Sequence, residues 1–214
     1  MRIIAVPVKS LSDAKSRLAP ALTPLERGAL TLAMLEDVLD ATLAMNGWET
    51  WVISPDEAVL EIAARRRARA LTEDEPPLAN AIRQVEREAI DAGADALAVL
   101  LGDTALVTTE ALARALHTLG GVIVAPDAQR SGTNLLVRRP PEVIAARFGP
   151  DSYRRHLESA GSGGVPASVV DLDELAFDLD GPDDILTLLQ TGRQGRTRQV
   201  SLDMDLRSRI QVRT

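Results

Sequence analysis

The chain has no cysteine, few aromatic residues and no long apolar run, and each absence narrows what it can be. Without cysteine there is no disulfide, no thiolate metal site and no cysteine nucleophile. Aromatic residues make up only 2% of 214 positions, so the core must be aliphatic. That scarcity also argues against a stacking platform for single-stranded nucleic acid. The formal charge of −7 points the same way, against general nucleic-acid binding. The two histidines, His117 and His156, lie too far apart for a zinc spacing and read as solvated surface residues. No stretch has the length of a membrane span or the pattern of a leader, so a soluble, cytoplasmic protein with no membrane partner is expected. There is no Walker A motif and no internal repeat.

What is present is enough apolar sequence, 45%, for one sizeable core. Strand-like runs alternate with helical ones. Arg2 to Val8 reads as a buried strand. Thr23-Pro24-Leu25-Glu26 combines a capping box with proline at the first helical position, starting a helix that runs to about Asn46-Gly47. Further strands are predicted at 48–53, 68–71, 96–101, 122–125, 135–137 and 167–170. Helices are predicted at 56–67, 78–92, 108–119, 150–160 and 182–190, with a flexible stretch at 161–164. The pattern predicts an α/β fold, a three-layer sandwich around a mostly parallel sheet. A single domain is expected over residues 1–190. The Arg-rich tail, 191–214, reads as solvated and partly disordered, or else as an arm on a partner subunit.

Chemistry-bearing residues gather after the predicted strands, where parallel sheets bind ligands. A basic loop follows the first strand, and its Lys9, Lys15 and Arg17 can hold phosphates. Gly102-Asp103 follows a second apolar run. Phe177-Asp178-Leu179-Asp180 stands near the end, and extended backbone puts its two aspartates on one face. Cations after one strand and carboxylates after others are the ingredients of a Mg²⁺-dependent nucleotide-transfer site. Plainer roles compete: Asp103 could cap a turn, and Asp180 could cap the helix at Pro182, with Asp183 and Asp184 serving its dipole. Ser131-Gly132-Thr133-Asn134 and Arg147-Phe148-Gly149-Pro150-Asp151-Ser152 each set glycine beside polar groups. That pattern brings backbone N–H groups to an anion, or simply makes a turn. Asn80 is expected on a helix surface, with a base edge as its alternative partner.

Taken in order and spacing, several of these pieces resemble one family. They are Pro7-Val8-Lys9, Ala14-Lys15-Ser16-Arg17-Leu18, Gly132-Thr133-Asn134, Arg147-Phe148-Gly149-Pro150 with Ser152, and Asp178-Leu179-Asp180. The family is CofC/FbiD, the guanylyltransferases of coenzyme F420 biosynthesis, and the likeness runs from about Ile3 to Leu189. It implies a fold of the nucleotide-diphospho-sugar transferase type, with GTP and Mg²⁺. It also implies a small phosphorylated acid as acceptor: phosphoenolpyruvate, 2-phospho-L-lactate or 3-phosphoglycerate. By position, Asp103, Asp178 and Asp180 would be metal ligands, and Thr133, Gly149 and Ser152 would hold the acceptor's phosphate or carboxylate. Lys9, Lys15 and Arg17 would face the phosphates of GTP as catalytic and nucleotide-binding groups, and Asn80 would lie near the guanine. A homodimer fits such a fold. One departure is that the family's usual Asp-Leu-Pro reads Asp103-Thr104-Ala105, which predicts a looser loop. Two other readings compete. One is a sugar-phosphate or molybdopterin nucleotidyltransferase, although those usually carry Gly-Gly where this chain has Pro7-Val8-Lys9. The other is a non-catalytic nucleotide-binding protein.

Overall fold

In the first strand, β1 (Arg2–Pro7), Ile4 and Val6 point to one apolar cluster, and Ile3 and Ala5 to another. Burial on both faces is what a central strand of a parallel sheet requires. The computed structural model describes residues 1–211. Among them β1 is followed by α1 (Pro24–Leu43), β2 (Glu49–Ser54), α2 (Glu57–Arg65), β3 (Arg69–Thr72), α3 (Leu78–Asp91) and β4 (Ala96–Leu100). Next come α4 (Thr109–His117), β5 (Val122–Pro126), β6 (Thr133–Arg138), α5 (Ser152–Ser162) and β7 (Ala167–Val169). The chain closes with α6 (Asp173–Ala176), α7 (Pro182–Gln190), α8 (Arg196–Asp203) and α9 (Leu206–Gln211).

The strands form one sheet in the order β3-β2-β1-β4-β6-β5-β7. Strand β6 runs antiparallel to β4 and β5, and the other pairings are parallel. The short link between β5 and β6 permits only a hairpin-like return, whereas the parallel pairs are joined by helical crossovers. Helices α1, α2, α4 and α6 pack on one face through Leu35, Val59, Leu112 and Leu175. Helices α3 and α5 cover the other through Ile82, Val85 and Ala160. The expected three-layer α/β sandwich is therefore observed. The predicted start of α1 is also present: Glu26 N–H donates to Thr23 Oγ1, and Thr23 N–H donates to Glu26 Oε2 at 2.8 Å.

Two expectations are corrected. Helix α5 extends through Gly161 to Ser162, where a flexible stretch was predicted. The Arg-rich tail is not a solvated arm within the described residues. Helices α8 and α9 pack against α1 and α7, with Leu206 and Ile210 buried. Asp37 of α1 accepts from the backbone N–H groups of Arg196 and Thr197, both at 2.8 Å, and so caps α8. Arg209 reaches Glu26 at 2.6 Å, joining the tail to the capping box of α1. The apolar contacts are few and widely spaced, so composition hid them behind the arginines. Residues 212–214, with Arg213, lie outside the described residues.

Candidate active site

The basic loop is anchored at three points. Val8 N–H donates to Ile53 O (2.9 Å), Leu11 N–H to the Asp56 carboxylate (3.2 Å) and Arg27 Nε to Ala14 O (3.1 Å). Lys15 then adopts the left-handed backbone region, φ 51°, which is uncommon for a residue with a Cβ. Its side chain turns inward and is only 7% exposed. Lys15 Nζ stands 2.8 Å from Asp103 Oδ2 and 2.9 Å from Asp180 Oδ1. Burial works against that ammonium, but the two carboxylates outweigh it and hold its pKa above the usual lysine value. Arg17 is 76% exposed and lies 3.5 Å from Asp180 Oδ2.

Asp103 projects just beyond β4. The loop behind it is held by Leu101 N–H to Asn134 O (2.9 Å) and by Thr104, which is fully buried. Thr104 Oγ1 donates to Leu101 O at 3.0 Å. The looser loop expected from the missing proline is therefore not observed; hydrogen bonds supply the restraint instead. Leu179 N–H donates to Asp103 O at 3.1 Å, drawing the second acidic segment against the first. Leu179 is buried, and Asp178 and Asp180 flank it on the open side. Asp180 does not cap α7. Asp184 does so instead, accepting from Asp180 N–H (2.9 Å) and Gly181 N–H (2.7 Å), which leaves the Asp180 side chain to Lys15.

The charges here are unbalanced. Burial would raise the pKa of Asp180, but Lys15 first, then Arg17 and Lys9, hold it below the usual aspartate value. Asp178 goes the other way: burial foremost, then Asp103, Asp180 and Asp127, push it up to about 6. Asp103 Oδ1 is buried with no hydrogen-bond partner. Among the described residues no three acidic or histidine side chains converge as a finished metal cage. The donor set nonetheless suits a hard divalent cation: oxygen ligands, an orphaned carboxylate oxygen, and an Asp178 whose charge no cation offsets.

The basic loop and the acidic segments enclose a cavity of about 320 Å³, walled in part by Lys9, Lys15, Arg17, Asp103, Asp180 and Leu78. Asn80, in the first turn of α3, is not on that wall. Its amide donates to Pro76 O at 2.8 Å and its carbonyl accepts from Arg83. Thr133, Gly149 and Ser152 lie outside the cavity wall, near the start of β6 and the start of α5. Ser152 and Thr133 are buried, and Gly149 has φ 110°. The predicted cradle before Thr133 exists but is filled from within: Ser131 N–H and Gly132 N–H both donate to the Asp127 carboxylate at 2.8 Å.

His156 corrects a further expectation. It is 0% exposed, not a surface residue, because the loop before α5 folds back over it. His117 is exposed, as predicted. Arg27, Thr104, Asp127 and His156 were not singled out as site residues. Arg27 and His156 act on segments far along the chain, which no local pattern announces, whereas Thr104 and Asp127 bond within their own turns and read as ordinary turn residues.

The family described as "Guanylyl transferase CofC like" matches residues 1–211. A phosphoenolpyruvate guanylyltransferase from Rubrobacter xylanophilus is 40% identical over 87% of this chain and 93% of its own. A 2-phospho-L-lactate guanylyltransferase from Haloferax volcanii is 36% identical over 91% of this chain and 88% of its own. A 3-phospho-D-glycerate guanylyltransferase from Phenylobacterium zucineum is 32% identical over 92% and 94%. Among solved structures, a candidate nucleotide-diphospho-sugar transferase from Desulfovibrio desulfuricans superposes with a TM-score of 0.79 at 19% identity, covering 99% of this chain and 98% of that one. That likeness establishes the fold. The family match over nearly the whole chain, with the three relatives, establishes that this protein belongs to the CofC-like guanylyltransferase family.

Proposed function

We propose that the chain transfers GMP from GTP to a small phosphorylated acid, releasing pyrophosphate, as a step in coenzyme F420 biosynthesis. The carrying observation is Lys15, buried between Asp103 and Asp180 on the wall of a cavity that Lys9 and Arg17 also face. Cations and carboxylates on one wall suit a triphosphate and its counter-ion. Lys9, Lys15 and Arg17 take the phosphates. The guanosine lies toward Leu78, and Asn80 reaches the base only by exchanging its bonds to Pro76 and Arg83. Asp103, Asp178 and Asp180 would hold Mg²⁺, which when bound would neutralise phosphate charge and polarise the α-phosphorus. Thr133, Gly149 and Ser152 receive the acceptor. Phosphoenolpyruvate is the first choice, because the relative that is 40% identical is named for it.

In the reaction a phosphate oxygen of the acid forms a bond to the α-phosphorus of GTP. The bond from that phosphorus to the oxygen bridging to the β-phosphorus breaks, and pyrophosphate leaves. A phosphate monoester with a second pKa near ~6 is already largely a dianion, so no general base is needed. The main barrier is bringing two anions together, and the basic loop acts against that repulsion by fixed positive charge and alignment. The test is product mass after incubation with GTP, Mg²⁺ and each of the three acids in turn. A guanosine diphosphate diester of one acid is expected. Free GMP or unchanged GTP with every acid would contradict the proposal.

A further inference from the structure

His156 is a buried histidine for which the proposed reaction supplies no task. Its ring touches two separate segments. Arg147 N–H donates to Nε2 at 2.8 Å, and Thr133 Oγ1 lies 3.1 Å from Nδ1. A ring nitrogen that accepts a hydrogen bond carries no proton, so the network assigns the proton to Nδ1. Nδ1–H then donates to Thr133, and the Thr133 hydroxyl keeps its own proton for a different acceptor. Burial first, then the positive charges of Arg138, Arg155 and Arg147, push the histidine pKa down to about 4, so the ring is neutral near pH 7.

The ring is also a clamp. Phe148 meets it edge-on, with centroids 5.3 Å apart and planes at 68°. Arg155 Nη2 donates to Arg147 O at 3.1 Å, and Ser152 N–H donates to Gly149 O at 3.1 Å. The loop from Arg147 to Ser152 is thus tied at its first residue to His156 and through His156 to the start of β6.

We infer that His156 is a positioning residue for the acceptor acid: it orients the Thr133 hydroxyl as a donor and holds the Arg147–Ser152 loop beside it. The ligand chemistry addressed is a phosphate or carboxylate, which takes a hydroxyl donor and loop N–H groups. The inference rests on the guanylyl-transfer reading. A ring that only filled space would be replaced by phenylalanine without consequence for the acceptor.

The test compares His156→Phe, which keeps the bulk and loses both hydrogen bonds, with His156→Gln, which restores an acceptor for Arg147 N–H. Rates are measured against acid at saturating GTP, and against GTP at saturating acid. His156→Phe is expected to raise KM for the acid about tenfold or more while KM for GTP stays within about twofold, with partial recovery in His156→Gln. In parallel, ¹⁵N NMR of the wild type reads the tautomer directly, since His117 is the only other histidine. The expected signal is a neutral ring protonated at Nδ1. An unchanged KM for the acid, an equal loss for acid and GTP, or a proton on Nε2 would each overturn this role and leave guanylyl transfer standing. If His156→Phe fails to fold, His156→Gln and the NMR signal decide alone. A wild-type chain that transfers GMP to none of the acids would overturn the functional reading, and this role with it.

Discussion

Asp178 lies beside Asp103 and Asp180 but off the cavity wall, and its charge is the least compensated of the three. Burial and its acidic neighbours lift its pKa to about 6, so between the ordinary aspartate value and that point the folded chain holds a proton more tightly than the unfolded one. The sign follows: its ionised form destabilises the metal-free protein as pH rises through that window. Asp178→Asn should therefore stabilise the metal-free protein by about 1–2 kcal/mol, allowing for solvent screening, and cut transfer by at least about a hundredfold. Thermal melts in chelator beside turnover assays check both halves, and near-normal activity would remove Asp178 from the metal site. His156 has the opposite sign. Its folded pKa is lowered from 6.5 to about 4, so its stabilising share is complete above pH 6.5 and is lost as pH falls toward 4. The share at stake is about 3 kcal/mol. Urea melts at several pH values should show it, and His156→Phe should flatten that part of the curve. At this scale Asp103 was legible because it follows the apolar run of β4, Lys15 because it stands in the basic loop after β1, and Asp180 because it alternates with Asp178 around Leu179. His156 was not, since Arg154, Arg155 and Glu158 around it give α5 a polar look and its cover comes from the preceding loop.

The tail helices matter to the site more than their composition suggests. Leu206 and Ile210 belong to the same apolar cluster as Leu18, Ala105 and Leu179. Leu18 ends the basic loop, Ala105 follows Asp103, and Leu179 separates Asp178 from Asp180. One cluster thus braces all three site segments from behind. Leu206→Ala should cost about 2–4 kcal/mol, as buried leucine truncations do. Its effect on turnover should exceed that of an equally destabilising change on the far side of the sheet, such as Leu136→Ala, when both are assayed well below their melting temperatures. Equal turnover in the two variants would deny the bracing role. Other elements were readable from local signals: Thr23, Pro24 and Glu26 start α1 as predicted. The tail was misread because two apolar residues four apart, among many arginines, leave little periodicity for a core-facing helix.

Across the whole molecule, the sheet separates two tasks. Strands β1 and β4 deliver the basic loop and Asp103 to one cavity. Strand β6, inserted antiparallel between β4 and β5, carries Thr133 to the same end of the sheet from the opposite direction. The α/β class was legible in the alternation of strands and helices. The reversed strand was not, because an apolar run reads alike in either direction. Net charge is also divided. The chain is acidic as a whole, at −7, whereas the cavity mouth sets Lys9, Lys15 and Arg17 beside Asp13, Asp103 and Asp180, so cations for a polyanion stand next to carboxylates for its counter-ion. The most direct measurement is the initial rate of pyrophosphate release with Mg²⁺ and phosphoenolpyruvate, comparing GTP with CTP and with a no-acceptor control. The account predicts release from GTP that needs both the acid and the metal, with far less from CTP. Release that ignores the acid, or that is equal from CTP, would contradict it.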